Sequence, residues 1–371
     1  MNVGSLRILV VGAGIAGLAL ARALQRSGCT ADIVDRGAGA GDAGAGMYLP
    51  GNALAALRRL DLDAAVARRG VRIATQRFCD ARGRLLREVA LEPVWSGCGP
   101  CVAVLRADLH AALGQAGDAP SVRPGVALAA LAQGAASATA RFSDGAEGEY
   151  DLVVGADGIH STLRRLAFDD PPLRVLQQGA WRFVIACPSA ITTWSAFLGE
   201  RATCLAMPVG GGRAYCYVDS LESGSAGTSS DGLDELLAGF AGPVAAIREA
   251  LATTRVHHAA IEEVDLERWS RGRALLIGDA AHATGPNMAQ GAAMALEDAL
   301  VLARCLAEAP TIEAAIARHE EQRRPRVRWV RQTTHRRDRI RRLPPMVRNG
   351  VLRWFGDRLY RRQHEPLLAP P

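Results

Sequence analysis

A chain of 371 residues is long enough for two domains, each able to bury its own core. Apolar residues make up 49% of it and charged residues 22%, which is typical of a folded globular protein and leaves little room for long disordered segments. The formal net charge of +6 rests entirely on arginine because the sequence contains no lysine, a bias that reflects genomic base composition and does not indicate a nucleic-acid partner.

The chain begins with the pattern of a strand, a helix and a second strand. Residues 6–11 form an almost continuous apolar run, as in a parallel strand buried on both faces. Apolar residues then recur near helical spacing from Ile15 to Arg26, Gly28 closes this helix, and a second strand ends at Asp35. This order predicts a βαβ unit and therefore an α/β fold.

The turn between the first strand and the helix carries a GxGxxG motif in the context that binds dinucleotides. Its first glycine permits the tight turn, its second lets a pyrophosphate approach the backbone, and its third lets the helix pack closely on the strand. The N-terminus of the helix offers N–H groups and a positive dipole end to the phosphates. The predicted cofactor contacts in this motif are Gly12, Gly14, Ile15, Ala16 and Gly17.

Asp35 lies at the end of the second strand, where its carboxylate can accept hydrogen bonds from an adenosine ribose 2′-hydroxyl. A negative charge there disfavours a 2′-phosphate, so we expect FAD or NAD at this site and not NADP. The neighbouring Arg36 weakens that exclusion slightly. The alternative, a glycine-rich turn that binds nothing, is disfavoured by the strand and helix on either side of it.

The middle of the chain indicates a second domain, because short alternating strands around 76–78, 85–89 and 179–219 replace the βαβ pattern. Cys98 and Cys101 have the spacing of a thioredoxin-type redox site, but a strand-like run follows them, where such a site requires a helix N-terminus. We expect all eight cysteines to be reduced thiols. His257 and His258 have no acidic or cysteine partner at ligand spacing, so we predict no metal site.

Two further turns combine glycine with an acid directly after a buried strand, at Asp157-Gly158 and at Gly278-Asp279. They suit an extended cofactor and therefore favour FAD over NAD. The Asp279 carboxylate can hold a ribityl hydroxyl, and the helix that Gly291 opens can direct its N–H groups at the N1–C2 carbonyl edge of a flavin. His282 is expected to hold this loop by a ring hydrogen bond.

These motifs resemble those of the single-component FAD-dependent aromatic hydroxylases, the flavoprotein monooxygenases related to para-hydroxybenzoate hydroxylase and salicylate hydroxylase. The resemblance covers nearly the whole chain. It rests on Val10 to Gly17, on Gly155 to Ser161 with Arg164, and on Gly278 to Gly291 with Glu297-Asp298. Arg106, in Leu-Arg-Ala-Asp-Leu, matches the arginine of the family that reaches the flavin cofactor.

The resemblance implies FAD as cofactor and NADH or NADPH as co-substrate. One atom of O2 would pass, through a flavin C4a-hydroperoxide, to a small aromatic or heteroaromatic substrate. By the same resemblance, Asp157 belongs to a turn associated with FAD and nicotinamide, Asp279 binds the ribityl chain and Pro286 lies against the flavin. The predicted cofactor contacts outside the first motif are Asp35, Arg36, Arg106, Asp157, Gly158, Gly278, Asp279, Pro286, Gly291 and Ala292.

The flavin carries the chemistry, and no side chain is identified as an active-site base. The candidates for lining the substrate site are Met47, Trp181, Arg182, Met207, Tyr215, Tyr217, Asn287 and Met288. Core packing is as good an interpretation for Tyr215 and Tyr217. For Arg182, a surface ion pair is favoured over contact with a substrate carboxylate.

Three other functions stay open on the sequence. One is an FAD-dependent oxidoreductase of the same fold without oxygen insertion, such as a reductase of isoprenoid chains. The second is a flavin-dependent halogenase. It would need a lysine, and this chain has none, so the sequence argues against it. The third is a cofactor-bound regulatory protein without turnover, which fold alone does not exclude.

The predicted fold is an α/β Rossmann-like FAD-binding domain with an inserted mixed β-sheet substrate domain and C-terminal helices. The FAD-binding domain comprises residues 1–71, 101–178 and 268–340, the substrate domain 72–100 and 179–267, and a helical tail 341–371. Arginines crowd the stretch from Arg323 to Arg342, which we interpret as the solvated face of a long helix. With no signal peptide and no apolar run of ~20 residues, we expect a cytoplasmic monomer or homodimer without stable membrane association.

Overall fold

The computed structural model describes residues 3–37, 45–115, 120–169, 172–220 and 230–371. Its strands are β1 (Ile8–Val11), β2 (Ala31–Asp35), β3 (Gly46–Leu49), β4 (Val71–Ile73), β5 (Thr75–Asp80), β6 (Leu85–Ala90), β7 (Cys101–Leu105), β8 (Val122–Pro124), β9 (Leu128–Gln133), β10 (Ala138–Phe142), β11 (Glu147–Tyr150), β12 (Leu152–Gly155), β13 (Arg174–Ala186), β14 (Trp194–Leu198), β15 (Ala202–Gly210), β16 (Arg213–Ser220), β17 (His257–Glu263), β18 (Ser270–Arg271) and β19 (Ala274–Leu276). Its helices are α1 (Ile15–Arg26), α2 (Gly51–Arg58), α3 (Asp63–Arg69), α4 (Glu92–Trp95), α5 (Arg106–Gln115), α6 (Thr162–Ala167), α7 (Ser230–Ala238), α8 (Pro243–Ala250), α9 (Asp279–His282), α10 (Gly291–Glu308), α11 (Ile312–Arg341) and α12 (Pro345–His364).

A sheet with a parallel centre organises the cofactor half of the molecule, in the order β18-β19-β12-β1-β2-β8. β1 lies between β12 and β2, parallel to both, with Val10 opposite Val154 and Ile33. All four residues of β1 are buried, as its continuous apolar run predicts. Because the chain leaves β1 toward one side and later returns on the other, the carboxyl ends of these strands border a crevice suited to a ligand. α1 follows β1 directly and packs against α10.

A seven-stranded sheet forms the other half, in the order β17-β13-β16-β15-β14-β5-β6. Its neighbours pair antiparallel, except that β14 and β5 run parallel. One face packs against Leu233, Leu236, Val244 and Ile247 of α7 and α8 and forms a separate apolar core. The opposite face is turned toward the cofactor half. The predicted fold class, a Rossmann-like domain combined with a mixed sheet and C-terminal helices, is thereby confirmed.

The boundary expected between residues 178 and 179 falls inside β13, which runs without a break from Arg174 to Ala186. β13 pairs with β17 from Arg174 to Arg182, with irregular register on the way. Pairing therefore continues across the expected boundary. The division into domains remains a prediction.

Two long helices end the chain, and the arginines of the first do not form one solvated face. Arg323 has a fully buried side chain, and the Arg341 side chain is only 14% exposed. The sequence-based interpretation is wrong for these two residues because buried carboxylates from other elements pair with them. Within the part of the chain that the structure covers, no helix has both the length and the hydropathy needed to cross a bilayer.

Candidate cofactor site and active-site cavity

The three glycines of the first turn each meet a different steric requirement. Gly12 has a φ of +105°, and a Cβ there would lie 2.6 Å from the carbonyl oxygen of Ala156 on the neighbouring strand end. A Cβ on Gly17 would overlap the carbonyl oxygen of Gly12, so this glycine permits the close packing of α1 on the turn. A Cβ on Gly14 would meet nothing closer than 3.9 Å, which leaves the space a pyrophosphate would need.

The start of α1 is open to an anion. No side chain caps the helix at Gly14, so the first-turn N–H groups stay available to a ligand. Asp35 accepts hydrogen bonds from the backbone N–H groups of Ala13 (2.6 Å) and Gly37 (2.7 Å), which places its carboxylate beside this turn. His110 of α5, which the sequence reasoning did not single out, also holds the turn through a 2.8 Å hydrogen bond with the Ala13 carbonyl.

Arg36 and Arg106 are both exposed side chains. Arg106 opens α5, and its backbone N–H donates to the carbonyl of Ala45, 2.8 Å away. Their contact with the cofactor stays a prediction, as does that of Ile15 and Ala16 in the first turn of α1.

Asp157 and Gly158 form the turn after β12. The Asp157 carboxylate accepts hydrogen bonds from the Ser161 hydroxyl (2.5 Å) and the Thr162 N–H (2.6 Å), so it stabilises the start of α6. Gly158 has a φ of +78°. Arg164 joins this turn to the second glycine-acid turn, since its buried guanidinium donates to the carbonyl of Ala280 at 3.0 Å. A role of Asp157 toward the nicotinamide stays a prediction.

The segment from Gly278 to Gly291 brings an acid and a second helix N-terminus to one cavity. Asp279 is exposed at the start of α9, and its Oδ1 would lie 3.9 Å from a Cβ placed on Gly291. No side chain caps α10, so its first N–H groups face the same space. Pro286, Gly291 and Ala292 line the cavity beside Asp279. This is the arrangement expected for a ribityl chain and the carbonyl edge of a flavin.

A buried ionic cluster lies directly behind this segment. Asp298 of α10 accepts hydrogen bonds from the Gly278 N–H (2.9 Å), the His282 ring (2.6 Å) and the Arg323 guanidinium (2.7 Å). Burial by itself raises the pKa of Asp298, but His282 and Arg323 outweigh it and hold that pKa well below its ordinary value. His282 therefore makes the ring hydrogen bond expected of a structural residue. The cluster fixes the loop that carries Asp279.

The neighbouring Glu297 extends this cluster to the rest of the site. It pairs with Arg323 (2.6 Å) and Arg326 (2.7 Å) and accepts a 2.9 Å hydrogen bond from Asn52. Asn52 also donates to Gln290, the residue before α10 (2.9 Å). The start of α10 is thus anchored to α2 and α11. The sequence analysis did not identify Arg323 and Arg326 as part of this site. Their spacing along the helix does not indicate that they are buried.

The active-site cavity has a volume of 360 Å³ and lies between the Gly278–Gly291 segment and the seven-stranded sheet. Most of its wall is apolar or aromatic, including Phe78 and Trp194, whose rings meet edge to face with centroids 5.4 Å apart. Seven of the eight side chains predicted to line it do so: Met47, Arg182, Met207, Tyr215, Tyr217, Asn287 and Met288.

Trp181 is the exception. It is 1% exposed and lies in the core on the opposite face of the sheet, with its ring centroid 4.8 Å from that of His258. Neighbouring residues of a strand point to opposite faces, so Arg182 in the cavity requires Trp181 to face away from it. The prediction of Trp181 as a lining residue is corrected accordingly.

Arg182 does not make the surface ion pair that its sequence context favoured. Its guanidinium lies over the ring of Tyr217, 5.6 Å from the centroid, and none of the ion pairs between described residues includes it. Burial raises the pKa of the adjacent Tyr215 to about 12, so this phenol stays protonated at neutral pH. The cavity therefore combines a phenol hydroxyl with a cation that has no carboxylate partner among the described residues.

Other cavity residues were not found from the sequence. Arg337 of α11 lines the wall and donates to the Met288 sulfur at 3.3 Å, and burial lowers its pKa. The Tyr217 hydroxyl donates to Asp219 (3.0 Å), which also pairs with Arg341. Arg337 and Arg341 are four residues apart on a helix. That spacing could have predicted that both lie on one face.

The Cys98 and Cys101 pair does not have the properties of a redox site. Both thiols are free and buried. Burial raises the pKa of Cys98 and raises that of Cys101 to about 11, the opposite of what an attacking thiolate requires. The short helix Glu92–Trp95 ends before the pair, and β7 begins at Cys101, so the strand that the sequence indicated after Cys101 includes this cysteine.

Comparison with known proteins identifies the family. Residues 5–336 match the family model described as FAD binding domain. The 2-heptyl-3-hydroxy-4(1H)-quinolone synthase of Pseudomonas aeruginosa strain UCBPP-PA14 is 34% identical, over 98% of this chain and 97% of its own. The FAD-dependent urate hydroxylase of Klebsiella pneumoniae is 31% identical, over 87% of each chain.

A solved structure of Klebsiella pneumoniae HpxO in complex with FAD and uric acid has a TM-score of 0.88 to this chain. It is 29% identical and covers 99% of this chain and 98% of its own. The glycine turn, the two open helix N-termini and the exposed Asp279 all fit the same cofactor. The chain therefore belongs to the single-component FAD-dependent aromatic hydroxylases, a family of flavoprotein monooxygenases, and its cofactor is FAD.

Proposed function

We propose that this protein hydroxylates a small aromatic or heteroaromatic substrate that carries an acidic oxygen, using NADH or NADPH and O2. One observation carries the proposal. The cavity beside Asp279 and the start of α10 is walled mostly by apolar and aromatic side chains, yet contains Arg182 without a carboxylate partner among the described residues. When bound, FAD supplies hydride acceptance from the nicotinamide and activation of O2.

In this proposal the cofactor is held at both ends. Gly12, Gly14 and the start of α1 would hold the pyrophosphate, with Asp35 at the adenosine ribose. Asp279 would bind the ribityl chain. The flavin-facing wall would then consist of Pro286, Gly291 and Ala292, together with the open N–H groups of α10.

The aromatic part of the wall would position the substrate ring. Phe78, Trp194 and Tyr215 provide flat surfaces, and Met47 and Met207 fill the space between them. Such a wall excludes water from the reacting atoms, which a reactive oxygen donor requires. It also favours flat, poorly hydrated rings over sugars or other polyols.

Arg182 would select the ionised form of the substrate. A guanidinium in an apolar surrounding stabilises a nearby phenolate or carboxylate and lowers its pKa. The protonated Tyr215 hydroxyl beside it can donate a hydrogen bond to the same anion. A phenolate has more electron density on its ring carbons than the phenol, which is what transfer of an electrophilic oxygen to the ring needs. Arg182 would thus contribute to both binding and reactivity.

An apolar substituent on that ring would pack against leucine side chains of the cavity wall. Leu352 and Leu359 of α12 line the cavity, together with Leu198. The Pseudomonas relative is named for a quinolone with a heptyl chain, and the Klebsiella relative for urate. These leucines support a substrate closer in character to the first. The cytoplasm, which supplies reduced nicotinamide and preserves the free thiols, is the proposed location.

The test uses the purified yellow protein, NADPH or NADH, and oxygen labelled with ¹⁸O. Hydroxybenzoates, hydroxyquinolines and alkyl-4-quinolones are offered one at a time, and products are read by mass spectrometry. The expected result is one ¹⁸O atom in the product of at least one ring compound. Hydrogen peroxide as the only oxygen product with every compound would instead favour an oxidoreductase without oxygen insertion.

The role of Arg182 is tested separately with Arg182→Met. We expect the KM for an ionised substrate to rise about tenfold, which corresponds to the loss of one charge-assisted hydrogen bond, while a neutral amide analogue is unaffected. Arg213→Met is the matched control because Arg213 lies on the paired strand β16 with its side chain exposed. An equal change in KM for the charged and neutral substrates would contradict the assignment.

A further inference from the structure

The last helix, α12, has two different faces. Its inner face packs on the protein through Arg348, Gly356 and Tyr360, which are buried. Leu352, Leu359 and Gln363 from the same side line the active-site cavity. α12 therefore contributes to the wall of that cavity, while the residues of its outer face are exposed.

The outer face of α12 is unusually apolar for a surface. Met346 is 90% exposed, Trp354 82%, Phe355 55% and Val347 53%, and Leu343 just before the helix is 37% exposed. Most of the large apolar side chains exposed among the described residues lie in this one stretch. A single exposed leucine needs no explanation, but a group that includes a nearly bare tryptophan marks a binding surface.

Positive charge is interleaved with these apolar residues. Arg353, Arg358, Arg361 and Arg362 are exposed on the same helix, and the ion pairs found between described residues include none of them. The one acid within α12, Asp357, already pairs with Arg87 of β6. The outer face therefore offers both aromatic side chains and uncompensated cations.

We propose that the outer face of α12 binds the surface of an anionic lipid bilayer. Tryptophan and phenylalanine beside arginines on one helix face are the features of helices that lie in the interfacial plane of a membrane. Arginines so placed are attracted to anionic headgroups, and long arginine side chains can extend toward them while the rings enter the acyl boundary. This proposal revises the expectation of no membrane association, although α12 would lie on the bilayer and not cross it.

Charge favours lipid over a second copy of the chain as the occupant. A symmetric dimer through this face would bring the same patch of each subunit together, and hence arginines against arginines. An anionic surface instead neutralises them. Because α12 also lines the cavity, binding there would place a cavity-lining helix against the lipid.

The test is flotation of the FAD-loaded full chain with vesicles of phosphatidylcholine alone or mixed with phosphatidylglycerol. We expect binding to the anionic vesicles that weakens with salt, and little to phosphatidylcholine alone. The triple variant M346S/W354S/F355S should lose at least about tenfold in bound fraction, and R353Q/R358Q/R361Q/R362Q should lose the preference for anionic lipid. Vesicle binding does not depend on turnover, so its outcome is independent of the proposed reaction.

The matched control is L166S/V175S, which removes two exposed apolar side chains (42% and 46% exposed) on α6 and β13 and should bind like the unaltered protein. Retained flavin absorbance shows that each variant is folded. Brominated lipids provide a second measurement. They should quench the tryptophan fluorescence of the unaltered protein but not that of the Trp354→Phe variant. Unchanged binding by the triple variant would overturn the proposal. Failure to bind anionic vesicles would also overturn it. Dimerisation that the same three substitutions abolish would then identify a second copy of the chain as the occupant of this face.

Discussion

The glycine turn at Gly12–Gly17 and the arginines of α11 both shape the cofactor site, but by different means. In the turn, the constraint is local, since a Cβ on Gly17 would overlap the Gly12 carbonyl five residues earlier. On α11, Arg323 pairs with Glu297 and Asp298 of α10, and Asp298 in turn accepts hydrogen bonds from the Gly278 N–H and the His282 ring. One region excludes side chains, whereas the other requires charges from separate elements to meet in a buried place.

This difference predicts different failures. A change in the turn should affect the cofactor before it affects the fold, because the backbone there faces the ligand. A change in the arginine cluster should affect the fold first, because a buried carboxylate without its partner is costly. Three predictions test the comparison, beginning with the largest expected effect.

Arg323→Met should produce the largest loss. It leaves Glu297 and Asp298 buried without the guanidinium that they share, and breaking such a pair costs about 3–5 kcal/mol in the free energy of unfolding. Urea unfolding of the purified protein measures the change. Arg339→Met is the control on the same helix, because Arg339 is exposed, and its effect should stay within about 0.5 kcal/mol. Equal stabilities of the two variants would mean that the buried cluster contributes nothing to the fold.

Gly17→Ala should weaken FAD binding at least about a hundredfold, equivalent to about 2.7 kcal/mol, since α1 must move away from the turn that would hold the pyrophosphate. Flavin retained through purification, followed by titration of the stripped protein with FAD, gives the measurement. Gly114→Ala is the control. That glycine lies in α5, and a Cβ there would meet only Leu18 at 3.8 Å, so binding should be unchanged. A fully yellow Gly17→Ala protein would contradict the close-packing role.

His319 links the arginine cluster to pH. Burial lowers the pKa of His319 to about 4, and burial likewise lowers that of His364 to about 3, while an unfolded histidine titrates near 6.5. The unfolded chain therefore binds more protons below pH 6.5, and stability must fall as the pH falls. Between pH 7 and pH 5, each histidine should cost roughly 2 kcal/mol, from 1.36 kcal/mol per pH unit below 6.5.

His319→Leu should remove roughly 2 kcal/mol of the loss between pH 7 and pH 5, and His364→Leu a similar amount. Urea unfolding of each variant at pH 5 and pH 7 measures it. Asp298 should not contribute in this window because its pKa lies far below it. If His319→Leu keeps the full dependence of the unaltered protein, the buried histidine is not the group that titrates.

Some features of this protein were predictable because they depend on neighbours along the chain. The apolar run of β1, the glycines after it and the helix from Ile15 to Arg26 are all local patterns, and each lies where it was expected. Asp279 and Gly291 also share a cavity as predicted, since both follow the end of a central parallel strand. The cofactor contacts themselves stay predictions for all of these residues, as they do for Arg36, Arg106 and Asp157.

Other features depended on elements far apart in the chain. Strand alternation places Trp181 and Arg182 on opposite faces, but only the packing of α7 and α8 decides that Trp181 belongs to the second core. The arginines from Arg323 to Arg342 look alike in sequence. Their burial differs because Asp219, Glu297 and Asp298 pair with some of them and not with others.

The amino-acid sequence alone thus determined the α/β fold class, the glycine turns and the family, because steric limits and apolar periodicity act over a few residues. The tertiary structure decided which side chains reach the active-site cavity, which arginines are buried, and that α12 shows an apolar, cationic face to its surroundings. These outcomes depend on how sheets and helices from separate parts of the chain meet, and the free energy of a buried charge depends on partners that no local pattern specifies.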